Sequence, residues 1–99
     1  MQPLDDDAGL KELAGFQELR VLYLANNRIT DAGMKELAGL KELRELHLSK
    51  TEITDAGLKE LAGLQQMQEL IIENTKVTKN GVAELKKALP KCKVYHSAK

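Results

Sequence analysis

The stretch ITDAGMKELAGL at residues 29–40 returns as ITDAGLKELAGL at residues 53–64, with one substitution at its sixth position. The two copies lie 24 residues apart, and degenerate copies precede and follow them at the same interval. Three columns of this alignment are invariant, namely Gly9, Gly33, Gly57, Gly81, then Glu12, Glu36, Glu60, Glu84, and Leu13, Leu37, Leu61, Leu85. A short fixed period indicates a solenoid, because so small a unit cannot bury its apolar face alone and must stack on its neighbours.

One half of each unit has the spacing of a helix. In the copy at residues 53–64, Leu58, Leu61 and Ala62 recur at intervals that place them on one helical face. The residue before each helix has a side-chain oxygen suited to an N-cap, in the series Asp6, Thr30, Thr54, Thr78. The glycines that follow the helices are expected to form left-handed C′ stops, in the series Gly15, Gly39, Gly63. The invariant first-turn glycines predict a neighbouring backbone too close to accept a Cβ.

The other half of each unit alternates apolar and mixed residues, as in LRVLYLANN at 19–27, LRELHLSKT at 43–51 and MQELIIENT at 67–75. In the first of these, Leu22 and Leu24 point one way while Val21 and Tyr23 point the other. This alternation predicts short strands with one buried face. Strands that alternate with helices at so short a period pair in parallel and coil to the right.

The two ends of the array differ. In the last unit Lys86, Lys87 and Ala88 extend the helical pattern, so the helix is predicted to run to about Leu89 and stop before Pro90, with a final strand near 93–96. The first unit has no preceding strand, and only residues 1–6 are available to cover it, with Met1 and Leu4 as the apolar candidates. Phe16 heads a column that continues Leu40, Leu64, Ala88, so the N-terminal end is expected to be poorly covered.

The strand half, read together with ITDAGLKELAGL, resembles the leucine-rich repeat, LxxLxLxxN followed by an apolar residue, in its helical bacterial subtype. The resemblance implies an α/β fold: a right-handed βα solenoid with a concave parallel sheet of about four strands and helices on the convex side. Residues 1–99 are interpreted as one domain, with units at about 7–30, 31–54 and 55–78 and a capping unit at 79–99. One column departs from the family pattern, because the usual asparagine gives way to threonine in Asn27, Thr51, Thr75.

Composition excludes several functions. Fifteen basic and fifteen acidic residues give a net charge of zero, which disfavours nucleic acid and anionic membranes as partners. The lone Cys92 is interpreted as a small buried thiol, and no ligand cluster predicts a metal or cofactor. Neither an apolar span nor a signal-peptide pattern occurs, so the sequence as written predicts a cytoplasmic protein.

The outward strand positions give the candidate binding surface. We call the main set the concave column, Tyr23, His47, Ile71, Tyr95; beside it stand Val21, Glu45 and Glu69. Aromatic and apolar side chains on an open sheet favour protein contact. The same residues are also ordinary strand formers on a solvated face, and the sequence leaves both interpretations open.

Catalysis is not predicted. His47 with Glu45 or Glu69 has the composition of a general base and an orienting carboxylate, but no nucleophile accompanies them and an open face admits water. We therefore expect no catalytic residues.

The predicted function is a non-catalytic protein–protein interaction module. A face of four short strands offers roughly 300 Å², against about 800 Å² per partner in a standard interface, so the concave face alone is too small. The open edge and thin cover of the first strand predict self-association as a two-fold homodimer through Phe16, Val21 and Leu22. The alternative is a truncated or engineered minimal scaffold that has no evolved partner.

Overall fold

The computed structural model describes residues 10–24 and 28–98, which alternate between strands and helices. After a 3-10 helix at Lys11–Gly15 come β1 (Val21–Tyr23), α1 (Asp31–Leu37), β2 (Glu45–His47), α2 (Asp55–Leu61), β3 (Glu69–Ile72), α3 (Lys79–Ala88) and β4 (Lys93–His96).

In the described residues the four strands form one sheet in sequence order, and every pair is parallel. The register places residues one period apart directly beside each other, so Leu22 pairs with Leu46 and Leu46 with Leu70. The predicted βα architecture, in which a parallel sheet of four strands alternates with helices, is confirmed.

The core fills the space between sheet and helices. The inward strand residues Leu46, Leu48, Leu70 and Ile72 are fully buried, as is Leu61 of α2. Each unit therefore contributes apolar side chains from both of its halves to one continuous cluster. Burial of this kind stabilises a leucine side chain by about 1.5–3 kcal/mol, so stacking provides what an isolated unit lacks.

Threonine caps each of the three described α-helices. The hydroxyl oxygen of Thr30 accepts a hydrogen bond from the Ala32 amide, and that of Thr54 accepts one from the Ala56 amide, each at 3.3 Å. Thr78 accepts from the Gly81 amide at 3.2 Å. The three predicted threonine caps are confirmed, whereas Asp6 lies outside the described residues.

An aspartate of the preceding helix holds each inner cap in place. Asp31 accepts a 2.7 Å bond from the Thr54 amide through one carboxylate oxygen, and its other oxygen accepts from the Thr54 hydroxyl. Asp55 does the same for Thr78, at 2.8 Å from the amide and 2.5 Å from the hydroxyl. We call these contacts the aspartate ladder; they tie the start of one helix to the start of the next.

Two of the first-turn glycines, Gly57 and Gly81, are explained by this ladder, which corrects the sequence-based interpretation. A Cβ on Gly57 would overlap the Asp31 carboxylate, and one on Gly81 would overlap Asp55. The close neighbour is therefore a side chain from the preceding unit and not a backbone segment.

The prediction of left-handed glycine stops was wrong. In the described part of the chain no glycine has a positive φ; this includes Gly15, Gly39 and Gly63. The helices end instead in tight turns, in which the Leu40 amide bonds to the Leu37 carbonyl at 3.0 Å and the equivalent Leu64 amide bonds to Leu61. Left-handed conformations occur after the strands, at Lys50 (φ 61°) and Asn74 (φ 56°).

Threonine performs part of the work of asparagine in the turns after the strands. The hydroxyl of Thr51, which is buried, donates a 2.6 Å bond to the Leu48 carbonyl. Thr75 donates a 2.9 Å bond to the Ile72 carbonyl. Each hydroxyl closes the turn locally, while Asn27 of the same column lies outside the described residues.

The two ends behave as their sequences indicate. Helix α3 ends at Ala88 with Leu89 as its C-cap, and β4 follows, as predicted. The Phe16 side chain is 59% exposed while its counterpart Leu40 is fully buried, in line with the poor cover expected at the N-terminal end. Met1 and Leu4, the proposed covering residues, lie outside the described part of the chain.

Thr54→Ala should lower the free energy of unfolding by about 1–2 kcal/mol, because α2 loses its cap and Asp31 loses a hydrogen-bond donor. Lys59→Ala on the exposed side of the same helix should change it by no more than about 0.5 kcal/mol. Urea unfolding of both variants measures the difference. A larger loss for Lys59→Ala would contradict the assignment of the helix start.

Candidate functional site

The sheet register assembles the concave column. Tyr23 pairs with His47, His47 with Ile71, and Ile71 with Tyr95, so four units contribute one side chain each to a continuous row. The neighbouring row runs Val21, Glu45, Glu69, Lys93. Tyr23 is 63% exposed and Tyr95 is 44% exposed, whereas His47 and Ile71 are partly buried between them.

Three of these residues form a fixed cluster. The ring centroids of Tyr23 and His47 are 4.2 Å apart at an interplanar angle of 56°. His47 Nε2 lies 3.0 Å from Glu45 Oε1, which holds the imidazole from its other side. The contact with a carboxylate and the aromatic packing restrict both rings before any ligand arrives, so binding costs less side-chain entropy.

The cluster does not have the composition of a hydrolytic or metal site. No serine, cysteine or threonine hydroxyl or thiol bonds to His47 in the contacts of the described residues, so the histidine and carboxylate have no nucleophile to activate. Across residues 10–24 and 28–98 no three His, Cys, Asp or Glu side chains are grouped to hold a metal ion.

A charged groove borders the concave face where the strands begin. Its walls are Arg20, Val21, Arg44, Glu45, Gln68, Glu69 and Lys93. Arg44 is half-buried, and its Nε is enclosed with no hydrogen-bond acceptor among the described residues. Sequence reasoning missed Arg20 and Arg44, although both stand immediately before a strand and one period apart, which is the signal that identifies them.

A second depression lies on the convex side, between α2 and α3. It is lined by Asp55, Leu58, Lys59, Ala62, Asn80, Gly81, Glu84 and Leu85. Asp55 is engaged in the aspartate ladder and Gly81 faces it directly, so the depression is an outcome of helix stacking.

The residues predicted for self-association fall into two groups. Phe16 and Val21 present exposed apolar surface at the N-terminal end, with Val21 42% exposed. Leu22 lies in the core at 8% exposure. Its side chain supports the edge strand from behind and is not itself a surface contact.

Cys92 is a buried free thiol, as its sequence context indicated. Burial raises the pKa of Cys92 from 9.0 to about 11, and the nearby negative charge of Glu69 adds to the effect. The thiol also lies 3.7 Å from the Lys93 carbonyl, to which it can donate. A protonated thiol is a poor nucleophile, so Cys92 is a packing residue.

The pH dependence of stability, compared between wild type and Cys92→Ala, tests whether the buried thiol is protonated. The folded state keeps the proton up to about pH 11 while the unfolded chain releases it near pH 9.0. The contribution of the neutral thiol to stability is therefore complete below pH 9 and is lost as the pH rises towards 11. Urea unfolding should show wild type losing stability more steeply than Cys92→Ala across this window; parallel pH profiles would contradict the assignment.

The chain matches known proteins in sequence pattern and in fold. The family model described as "Leucine rich repeat" matches residues 17–77. No curated protein matches the chain. Residues described in the structure contain no helix long and apolar enough to cross a membrane.

Three solved structures place the fold among repeat proteins. Internalin C2 of Listeria monocytogenes is 29% identical with a TM-score of 0.70, and the alignment covers 88% of this chain and 38% of that one. The Mex67:Mtr2 subunits of Chaetomium give 20% identity, a TM-score of 0.74 and coverages of 96% and 72%. A leucine-rich repeat protein of Leptospira interrogans is 22% identical with a TM-score of 0.60, and the alignment covers 85% of this chain and 27% of that one. The chain thus spans well under half of the internalin.

Proposed function

The chain belongs to the leucine-rich repeat family, and we propose that it is a protein-binding module whose partner docks on the concave column. Leucine-rich repeat folds generally mediate protein–protein interaction and are typically not enzymes, which is the starting point for the assignment. The 29% identity to a bacterial internalin supports the bacterial subtype expected from the repeat sequence.

The observation that carries the proposal is the ordered cluster that Tyr23 and His47, two members of that column, form with Glu45 of the neighbouring row. Tyrosine and histidine combine apolar area with a polar tip, the combination that is favoured at protein interfaces. The Tyr23 side chain is 63% exposed although its ring contacts His47, so the rest of its surface is available to a partner. A solvated sheet of ordinary strand formers would not need this preorganisation.

The size of the face decides how the partner binds. Strands of three or four residues give a concave surface of roughly 300 Å² or less, well below the usual 800 Å² or so per partner. The partner therefore extends beyond the column into the adjoining charged groove. Because Arg20, Arg44 and Lys93 line the groove together with Glu45 and Glu69, the groove favours a partner surface that carries both signs of charge.

Self-association through the N-terminal end is the finer part of the proposal. Phe16 and Val21 supply its exposed apolar surface, and Leu22 supports it from the core. A homodimer would bring a second concave face next to the first and so enlarge the surface that is available to a partner.

Affinity capture from an extract of the source organism tests the proposal with three baits. The baits are wild type, the concave variant Tyr23→Ser/Ile71→Ser, and the convex control Lys35→Ser/Lys59→Ser, whose lysines are exposed on α1 and α2. A protein retained by wild type and by the convex control should bind the concave variant at least about tenfold more weakly.

All three baits should keep their fold, because the substituted side chains point away from the core. Circular dichroism checks this. Retention of the same partner by the concave variant, together with loss by the convex control, would move the binding surface to the helical side and contradict the proposal.

A further inference from the structure

The exposed apolar side chains are concentrated at one end of the molecule. Among the described residues the exposed large hydrophobic side chains are Phe16, Val21, Tyr23 and Tyr95. Val21 and Tyr23 belong to β1, and Phe16 is the C-cap of the 3-10 helix before it, so three of the four lie in or shortly before one edge strand. Exposed apolar residues that are clustered in this way, unlike scattered ones, mark an interaction site.

The two edges of the sheet are protected differently. Strand β4 begins with Lys93 and follows Pro90 and Lys91, which are the residue types that natural proteins place at open edges to prevent pairing. Strand β1, by contrast, reads Val-Leu-Tyr and contains no charge. Within the described sheet β1 pairs on one side only, with β2. Its other row of amides and carbonyls is therefore a ready template for a further strand.

Head-to-tail stacking of copies is disfavoured by the aspartate ladder. Each inner unit is held to the next by an aspartate at the first helix position, Asp31 or Asp55. In α3 this position is Lys79, whose ammonium group cannot accept hydrogen bonds of the kind that Asp31 and Asp55 accept. Head-to-tail stacking would pair the β4 edge of one copy with the β1 edge of the next, and this junction would lack the contact that joins the other units. The β1 edge is therefore expected to pair in a different way.

We propose, as an extension of the protein-binding function, that the β1 edge is occupied by β1 of a second copy, paired antiparallel about a two-fold axis at Leu22. This register places Val21 directly opposite Tyr23 of the partner copy, and Tyr23 opposite Val21 of the partner copy. The two four-stranded sheets join into one, and the concave columns of both copies share a single surface.

Three physical features favour a second copy as the occupant. The segment Val21–Tyr23 is self-complementary in this register, because each β-branched side chain meets an aromatic one, a favourable cross-strand pair. The net charge of zero removes long-range repulsion between identical chains. Two-fold pairing also satisfies both edges at once and leaves no further open β1 edge to continue a filament.

The available area sets the strength of the dimer. Aromatic side chains bury about 150–250 Å² when fully covered. The exposed fractions of Phe16, Val21 and Tyr23 therefore supply roughly 300 Å² per copy, below the usual 800 Å² or so. The dimer is accordingly weak and concentration-dependent, and a covalent trap is the suitable way to detect it.

Disulfide trapping between single-cysteine variants tests the register. Val21→Cys, Tyr23→Cys and Lys93→Cys are each made with Cys92→Ala, so that every chain has one thiol, at an exposed position. Directly opposed strand residues fall within the Cα separation that a disulfide requires, whereas diagonal ones lie beyond it. Under mild oxidation at high protein concentration, a mixture of Val21→Cys and Tyr23→Cys should give several-fold more cross-linked dimer than either variant alone.

The mixture of Val21→Cys with Lys93→Cys is the matched control, because a head-to-tail continuation of the parallel sheet would bring these two positions together. Preferential cross-linking of that mixture would overturn the antiparallel register. So would equal yields from all combinations, or no cross-link in any of them. None of these results would affect capture of a different protein by the concave column, so failure of this inference is distinguishable from failure of the proposed function.

Discussion

The hydrogen bonds from Thr54 to Asp31 and from Thr78 to Asp55 are the contacts on which the rest of the structure depends. In each, one carboxylate receives both the amide and the hydroxyl of a threonine one unit later. The Thr54 hydroxyl oxygen in turn accepts the Ala56 amide, so a single chain of bonds runs from the start of one helix into the first turn of the next. Charge-assisted bonds of this kind are about twice as strong as neutral ones.

This ladder explains features of the sequence that a helix alone would not select. Glycine in a first turn costs about 1 kcal/mol relative to alanine, yet Gly57 and Gly81 stand there because the aspartate occupies the space of a Cβ. The same bonds fix the offset between consecutive units. Since that offset also sets the strand register, the ladder on the convex side and the leucine core together align Tyr23 with His47 and Ile71 on the concave side.

Much of this architecture follows from the sequence because a period of 24 residues brings equivalent positions side by side. The period identified the strands, the threonine caps and the concave column. The break in the last unit and Pro90 predicted a helix end near Leu89, one residue beyond the observed end at Ala88. The sequence-based predictions failed where a residue's neighbour belonged to another unit, or where a turn could close in more than one conformation. The space beside Gly57 was assigned to backbone, although Asp31 lies one period before Asp55 and was available as the neighbour.

The remaining differences have equally local causes. Glycines after α1 and α2 suggested left-handed stops, but amide bonds such as Leu40 to Leu37 close these turns at negative φ. In the candidate site the sequence identified which residues share a row, whereas the contact of His47 with Glu45 and Tyr23 depends on side-chain conformations that spacing does not determine.

A double-mutant cycle between Asp31→Ala and Gly57→Ala tests the role of the ladder most directly. Gly57→Ala alone should destabilise the chain by about 1–3 kcal/mol because its methyl group overlaps the carboxylate. In the Asp31→Ala background the loss should fall to no more than about 0.5 kcal/mol. The carboxylate is gone and alanine favours the helix, so only the flexible Met34 side chain, whose Cγ lies 3.0 Å from the new Cβ, has to shift. Additive losses, with a coupling of less than about 0.5 kcal/mol, would contradict the account, since they would mean that the aspartate and the glycine do not depend on each other.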